Sequence, residues 1–274
     1  MALLESKVAV VTGSGRGIGK AIATLLAQEG ASIVINDLDS QPAEETAAEI
    51  CGMGVKAIAC VGNVVDKEFP EKLMNMTIDE FGKIDILVNN AGYIWDSVIQ
   101  KMTDEQWNAM IEVHATAPFR IIRAATPYMR DAAKQEIKEG ERVHRKIVNI
   151  TSIAGVFGNA AQINYSAGKS ALVGITKTMA KEWGRFNINV NAVAYGVIET
   201  RMTGEKEQSK PVMIGETEVI PGVPKASREA IKMIAPLGRL GTPEEAAGPV
   251  LFLSSSLSDY ITGEVIICSG GLIM

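Results

Sequence analysis

Tyr165 and Lys169 stand four positions apart in Tyr-Ser-Ala-Gly-Lys, and Ser152 lies thirteen positions upstream of the phenol. On a helix that spacing puts a phenol and an ammonium one turn apart on one face. A hydroxyl at the end of the preceding strand can meet the phenol there. Together the three side chains form a proton-transfer apparatus for an alcohol or a carbonyl. Tyr-x-x-x-Lys also arises by chance, so the pair gains meaning only if the chain supplies a partner for the chemistry.

That partner is readable near the N-terminus. Thr12-Gly13-Ser14-Gly15-Arg16-Gly17-Ile18-Gly19 follows a β-branched run at 7–12 and opens a helical pattern at 17–28. Glycines permit a tight turn and close approach of a pyrophosphate. The helix N-terminus adds free N–H groups and a positive dipole end. Strand, glycine turn and helix in that order are the setting of a dinucleotide site. Asp37 ends the next strand, where a carboxylate accepts hydrogen bonds from adenosine ribose hydroxyls and repels a 2′-phosphate. Leu38 offers no cation. NAD is therefore the expected cofactor; NADP is the alternative, which the Arg16 guanidinium would serve.

The elements that must hold these groups alternate. Strands are expected at 32–36, 55–61, 84–89, 147–151, 188–194 and 264–268. Helices are expected at 42–52, 67–81, 103–130, 160–186 and 243–255. Short apolar runs separated by helices predict an α/β fold, a Rossmann-type doubly wound parallel sheet, in a single domain spanning 1–274. The charged stretch 131–145 reads as a solvated helix extension. Segment 203–235, with Pro211, Gly215, Pro221, Gly222 and Pro224, is long enough to be a substrate lid.

At 274 residues, 47% hydrophobic and 22% charged, the chain can bury one full core. A net charge of −5 argues against nucleic acid as a partner. No apolar run approaches the roughly 18–20 residues of a membrane span. The first strand begins almost at once, so no leader is expected, and the expected location is cytoplasmic. Cys51, Cys60 and Cys268 lack metal or disulfide spacing, and His114 and His144 form no HExxH pair, so no metal is expected. Gly168-Lys169-Ser170 looks like the end of a phosphate-binding loop, but Ile163 stands where the first glycine belongs.

In order along the chain, the motifs resemble the short-chain dehydrogenase/reductase family over essentially its whole length. Besides Thr12–Gly19 and Ser152, Tyr165 and Lys169, they are Asn89-Asn90-Ala91-Gly92, Gly196-Val197-Ile198-Glu199-Thr200, the 238–245 segment, and Ile261-Thr262-Gly263-Glu264. Within the family the chain looks like 3-oxoacyl-ACP reductases and 3-hydroxyacyl-CoA dehydrogenases. The resemblance implies an NAD(P)-dependent oxidoreductase interconverting a secondary alcohol and a ketone. Tyr165 would be the acid/base and Ser152 would hold the substrate oxygen. Lys169 would hold the nicotinamide ribose, and with the positive nicotinamide ring it would lower the phenol; bringing a pKa of about 10 down to about 7 takes ~4 kcal/mol. Asn63 and Val64 would border the adenine, Asn90, Ala91 and Gly92 would line the cofactor, and Gly196, Ile198 and Thr200 would meet the nicotinamide. The resemblance also implies a homotetramer.

Three positions depart from the family pattern. His114 stands where the family carries a catalytic-site asparagine, whose carbonyl leads protons to the lysine. Tyr195 replaces a proline, and its ring would either shape the substrate pocket, with Met202, or simply pack. Asn63 replaces an aspartate. The first substrate expected is a 3-hydroxyacyl or 3-oxoacyl thioester on CoA or ACP. Lys206, Lys210, Lys225 and Arg228 of the lid could meet its phosphates, although Glu205, Glu207, Glu216 and Glu218 lie among them. A free secondary, cyclic or steroid alcohol is an alternative. A cofactor-binding, catalytically silent subunit is another.

Overall fold

The structure is a computed structural model that describes residues 2–214 and 217–272. Gly215 and Glu216, in the middle of the expected lid, lie outside the described residues. The chain begins β1 (Val8–Val11), α1 (Gly17–Gln28), β2 (Ser32–Asp37), α2 (Ser40–Cys51), β3 (Ala57–Val61), α3 (Phe69–Phe81) and β4 (Ile86–Asn89). It continues with α4 (Asp104–Ile111), α5 (Ala117–Ala124), α6 (Ala132–Lys138), β5 (Arg145–Ser152), α7 (Ile153–Phe157), α8 (Ile163–Trp183) and β6 (Ile188–Tyr195). A hairpin, β7 (Val212–Ile214) and β8 (Thr217–Val219), precedes α9 (Lys225–Ile234), α10 (Pro243–Ser254) and β9 (Val265–Cys268).

The parallel sheet runs β3-β2-β1-β4-β5-β6-β9. Its strands are apolar on both faces because helices cover both. Successive side chains point to opposite sides. Ala9 and Val11 therefore pack with Ile22, Leu26, Val250 and Leu253, under α1 and α10. Val10, between them, packs with Leu73, Met110, Ile121 and Trp183, under α3, α4, α5 and α8. Strand order reverses between β1 and β4, and the crevice beyond the carboxyl ends of strands at such a point is where α/β sheets bind ligands. Register sets Ser152 at the end of β5 directly beside Tyr195 at the end of β6.

Three expected elements differ. The helix expected at 103–130 is broken by π-turns at Glu112–Thr116 and Pro127–Asp131. Pro118 and Pro127 have no N–H to offer the carbonyls four residues back, so the α ladder cannot run through. The helix expected at 160–186 starts only at Ile163, because Gly158 at φ 79° and Ala161 at φ 62° turn the chain out of helical geometry first. The 131–145 stretch is not all solvated. Arg145 opens β5 as a buried residue. Its guanidinium donates to both carboxylate oxygens of Glu136, each at 2.6 Å, and through Nε to the Ile84 carbonyl.

The described residues of the 203–235 segment carry secondary structure of their own. Glu205 bridges to Val223, the β7–β8 hairpin follows within the loop, and α9 closes it. Among the described residues no helix is long and apolar enough to cross a membrane.

Removing Glu136 would leave the Arg145 guanidinium buried and unpaired. Glu136→Ala is expected to cost about 3 kcal/mol in urea unfolding. Arg145 holds the Glu136 carboxyl below its ordinary value of 4.5. Its contribution is complete above that pH and lost as pH falls through the lowered value. An acid-unfolding curve should therefore be shallower in the variant; an identical curve would contradict the pairing.

Candidate active site

The site forms where four chain segments converge on the carboxyl ends of β1, β2, β4, β5 and β6. The first is the glycine turn. Gly13 has φ 62°, and a Cβ there would lie 2.8 Å from the Ala91 Cα, so the turn packs directly against the loop after β4. Gly17 has φ 56° and faces only the Thr200 side chain, at 3.8 Å from where its Cβ would sit. Gly19 is closed in by the Gly13 carbonyl, and Ile18 sits half-buried on α1. Arg16 is the N-cap of α1 with extended backbone and makes no side-chain cap bond. The first-turn N–H groups of α1 are thus left for an anionic ligand.

Ser14 does not face that ligand. Its hydroxyl donates to the Val11 carbonyl at 2.6 Å and its N–H to Asn36, because the residue is turned into the core. Asn36 was not singled out from the sequence, yet it organises the turn. Its Oδ1 accepts from Gly13 N–H, and its Nδ2 donates to the Cys60 and Gly62 carbonyls. An amide inside the apolar run Ile-Val-Ile-Asn was the available signal. Asp37 follows, with Oδ2 accepting from Gly15 N–H at 3.0 Å. Leu38 is half-buried beside it.

The second segment is the loop after β4. Asn90 donates its amide to the Thr12 and Gly13 carbonyls at 2.8 and 3.0 Å. The Asn90 and Ala91 N–H groups both donate to the Thr12 hydroxyl. The Asn90 side chain therefore braces the turn, leaving Ala91 and Gly92 at the crevice. Asn63 and Val64, after β3, reach less far than expected. The Asn63 amide accepts from Val65 N–H in a local turn, and the Val64 side chain is buried with Phe69 and Leu73.

The third segment carries Ser152, Tyr165 and Lys169. Ser152 caps α7, accepting from Ala154 N–H at 3.1 Å, and donates to the Tyr195 carbonyl. α7 and α8 pack so closely that a Cβ on Gly155 would lie 2.6 Å from the Lys169 Cβ. Lys169 Nζ donates to the Ile150 carbonyl at 2.7 Å and sits 5.8 Å from the Tyr165 ring centroid. Burial pulls Lys169 down to about 7. Burial also pushes Tyr165 up to about 12, against a lowering hydrogen bond with Ser152 and with a smaller push from Asp96. The expected depression of the phenol is thus absent from the protein alone: Lys169 is bonded to a carbonyl and is itself driven toward its neutral form, and burial raises the phenol.

His114 lies on the π-turn, fully inside. Its Nε2–H donates to the Tyr93 carbonyl at 2.8 Å, and its ring meets Tyr165 edge-on at 5.0 Å. Burial, then the Lys169 charge, keep it well below its ordinary pKa, so it is neutral. A Cβ on Gly92 would fall 2.3 Å from His114 Cε1, and one on Gly168 would fall 2.9 Å from His114 Cβ. The imidazole therefore fills the space between the β4 loop and α8.

Two further residues escaped the sequence reading. Asn164 donates to the Trp95 and Gln106 carbonyls and accepts from Tyr165 N–H, tying the start of α8 to the loop and to α4. Asp96 accepts from Gln162 at 2.7 Å and is raised to about 6, chiefly by burial. It is the only carboxylate between Asn89 and Asp104, which was its signal.

The fourth segment follows β6. Gly196 N–H bonds Cys268, Ile198 is buried against Gly241, and the Thr200 hydroxyl contacts that of Thr203. Met202 anchors the 203–235 segment by accepting from Gly222 N–H. Tyr195 is not brought to the pocket. Strand alternation sends its ring into the core beneath α10, where its hydroxyl donates to the Ala246 carbonyl; only its backbone carbonyl reaches Ser152.

A model of the short chain dehydrogenase family matches residues 7–211. The chain is 39% identical over 271 residues to the 3-oxoacyl-[acyl-carrier-protein] reductase FabG of Thermotoga maritima, covering 99% of both. It is 39% identical over 276 residues to the 3-oxoacyl-[acyl-carrier-protein] reductase of Synechocystis, covering all of both. It is 34% identical over 268 residues to the (2S)-[(R)-hydroxy(phenyl)methyl]succinyl-CoA dehydrogenase subunit BbsD of Thauera aromatica, covering 98% of this chain and 97% of that one.

The contact of His114 with Gly92 makes a specific demand. Gly92→Ala should destabilise the chain by about 1–3 kcal/mol through overpacking. The double variant with His114→Ala should recover most of that loss in urea unfolding. Purely additive costs would mean that the two residues do not compete for one space.

Proposed function

Because the chain belongs to the short-chain dehydrogenase family and is an oxidoreductase of it, we propose that it interconverts a 3-oxoacyl and a 3-hydroxyacyl thioester using NAD. The observation that carries this is Tyr165, protonated and half-buried, beside Ser152 and above Lys169 at the crevice mouth. Its residues fit a nicotinamide dinucleotide. Gly17 leaves open space at the turn, the α1 N-terminus is uncapped by side chains, and Asp37 is set against Gly15. When bound, the dinucleotide would supply or accept the hydride.

The remaining chemistry belongs to the chain's own groups. The Ser152 hydroxyl is fixed at the end of β5 by accepting from Ala154 N–H, and its one proton, held by a long 3.4 Å bond to the Tyr195 carbonyl, would turn from that carbonyl to a substrate oxygen. A phenol at about 12 keeps its proton at neutral pH. That is the charge state for protonating a carbonyl oxygen as it becomes an alkoxide, which favours reduction. Lys169, near 7, can then return a proton to the phenolate. In the oxidation direction the same groups take a proton from the alcohol, with Ser152 lowering the phenol. The two names of the reductase relatives and that of the succinyl-CoA dehydrogenase subunit all describe thioesters, which supports the substrate class.

Tyr165→Phe is expected to leave NADH binding within about twofold while lowering turnover by at least 10²-fold, the range of acid–base contributions. Steady-state rates with 3-oxoacyl-CoA, 3-oxoacyl-ACP and a free cyclic ketone would check substrate and mechanism together. Turnover of the free ketone alone would replace the thioester reading. Reduction should also slow as pH rises through about 7, because Lys169 is the proton source only while protonated. A pH-independent kcat across that range would remove Lys169 from the proton path.

A further inference from the structure

Arg16 is the only cation in the glycine turn, and it is already engaged. Its Nη2 donates to Asp39 Oδ2 at 2.5 Å. Asp39 occupies the N-cap of α2, yet its carboxylate makes no bond to that helix. A capping aspartate ordinarily accepts from the first-turn N–H groups. Here the side chain faces the glycine turn. The backbone N–H of Asp39 donates to Asp37 Oδ1, and Asp37 Oδ2 accepts from Gly15 N–H. One run of bonds thus links Arg16, Asp39, Asp37 and Gly15 around the corner where an adenosine ribose would lie.

Arg201 stands close to the same corner. Burial and then Arg16 disfavour its charge, while Asp39 and Asp37 favour it. The four side chains are formally neutral together. A 2′-phosphate would bring nearly two negative charges. To recruit Arg16 it would have to break the pair with Asp39 and strand a second carboxylate, beside Asp37, next to a dianion. A guanidinium can serve phosphate and carboxylate equally well by geometry. The partner it already holds decides which it serves.

We propose that Asp39 is a specificity-determining residue: by holding Arg16 it withholds the turn's guanidinium from a 2′-phosphate and sets the preference for NAD over NADP. This rests on the reading of the glycine turn as a dinucleotide site. It assigns to the Arg16–Asp39 pair a discrimination that Asp37 alone would exert only by repulsion.

The test is titration of NADH and NADPH into the full chain, followed by nicotinamide fluorescence and independent of any substrate. The variants are Asp39→Asn, Arg16→Ala and the double variant. Asp39→Asn should shift the ratio of the two Kd values toward NADPH by about tenfold or more, the worth of one charge-assisted hydrogen bond. In the Arg16→Ala background the same substitution should move the ratio by less than about twofold, since the freed donor is gone. An unmoved ratio in Asp39→Asn overturns the proposal. So does an equal shift with and without Arg16, which would make Asp39 a repelling charge only. If Asp39→Asn fails to fold, Asp39→Ser, which retains a capping side chain, reads the same ratio. Failure of the wild-type chain to bind either dinucleotide overturns the site reading and this proposal with it. Tight NADH binding with an unmoved ratio overturns this proposal alone.

Discussion

The rest of the site depends on one set of hydrogen bonds, the stitch between the end of β1 and the end of β4. The Thr12 hydroxyl accepts from two successive N–H groups of the β4 loop, and the Asn90 amide returns to the Thr12 and Gly13 carbonyls. These strands are neighbours at which the sheet order reverses, so helices leave them toward opposite faces and a crevice opens between. Backbone groups at such an opening would be left without partners if no side chain supplied them. Thr12 and Asn90 supply them and in doing so set the glycine turn against Ala91. Asn36 performs the same service from β2. The walls of the crevice are therefore tied to one another by the chain's own hydrogen bonds.

Burial then sets the charge states. Tyr165, Lys169 and His114 lie within one desolvated cluster, and each is pushed toward its neutral form. The result is a phenol that keeps its proton, a lysine near 7 that can exchange its proton at neutral pH, and a neutral imidazole whose Nε2–H is fixed on the Tyr93 carbonyl. The space that imidazole fills requires glycine at both 92 and 168. The other end of the crevice carries two acidic and two basic side chains. The Arg16–Asp39 pair lies near the surface, where opposed charges meet at little desolvation cost, while Asp37 is buried behind it and burial disfavours the charge of Arg201.

Much of this was legible in the residues. The strand–glycine–helix order located β1 and α1, and the four-residue spacing put Tyr165 and Lys169 on one face of α8. Periodicity alone could not see the π-turns, because Pro118 and Pro127 interrupt bonding without disturbing the apolar repeat. Nor could it see that Arg145 is buried; its partner Glu136 lies on a different element. Tyr195 shows the same limit. Its place beside the glycine segment left pocket and packing both open, and strand parity, fixed by pairing with β5 and β9, decided for packing by turning its ring under α10.

By itself the sequence determined the order of elements, the spacing of Ser152, Tyr165 and Lys169 and the presence of a glycine turn. Those depend on interactions within a few residues, which spacing encodes. Tertiary structure alone decided which polar side chains brace the crevice and which face it, the direction of each pKa shift, and the engagement of Arg16 by Asp39. Each of those is a contest between groups brought together from distant parts of the chain, and its outcome depends on distance and on how much water is excluded, neither of which a linear pattern records.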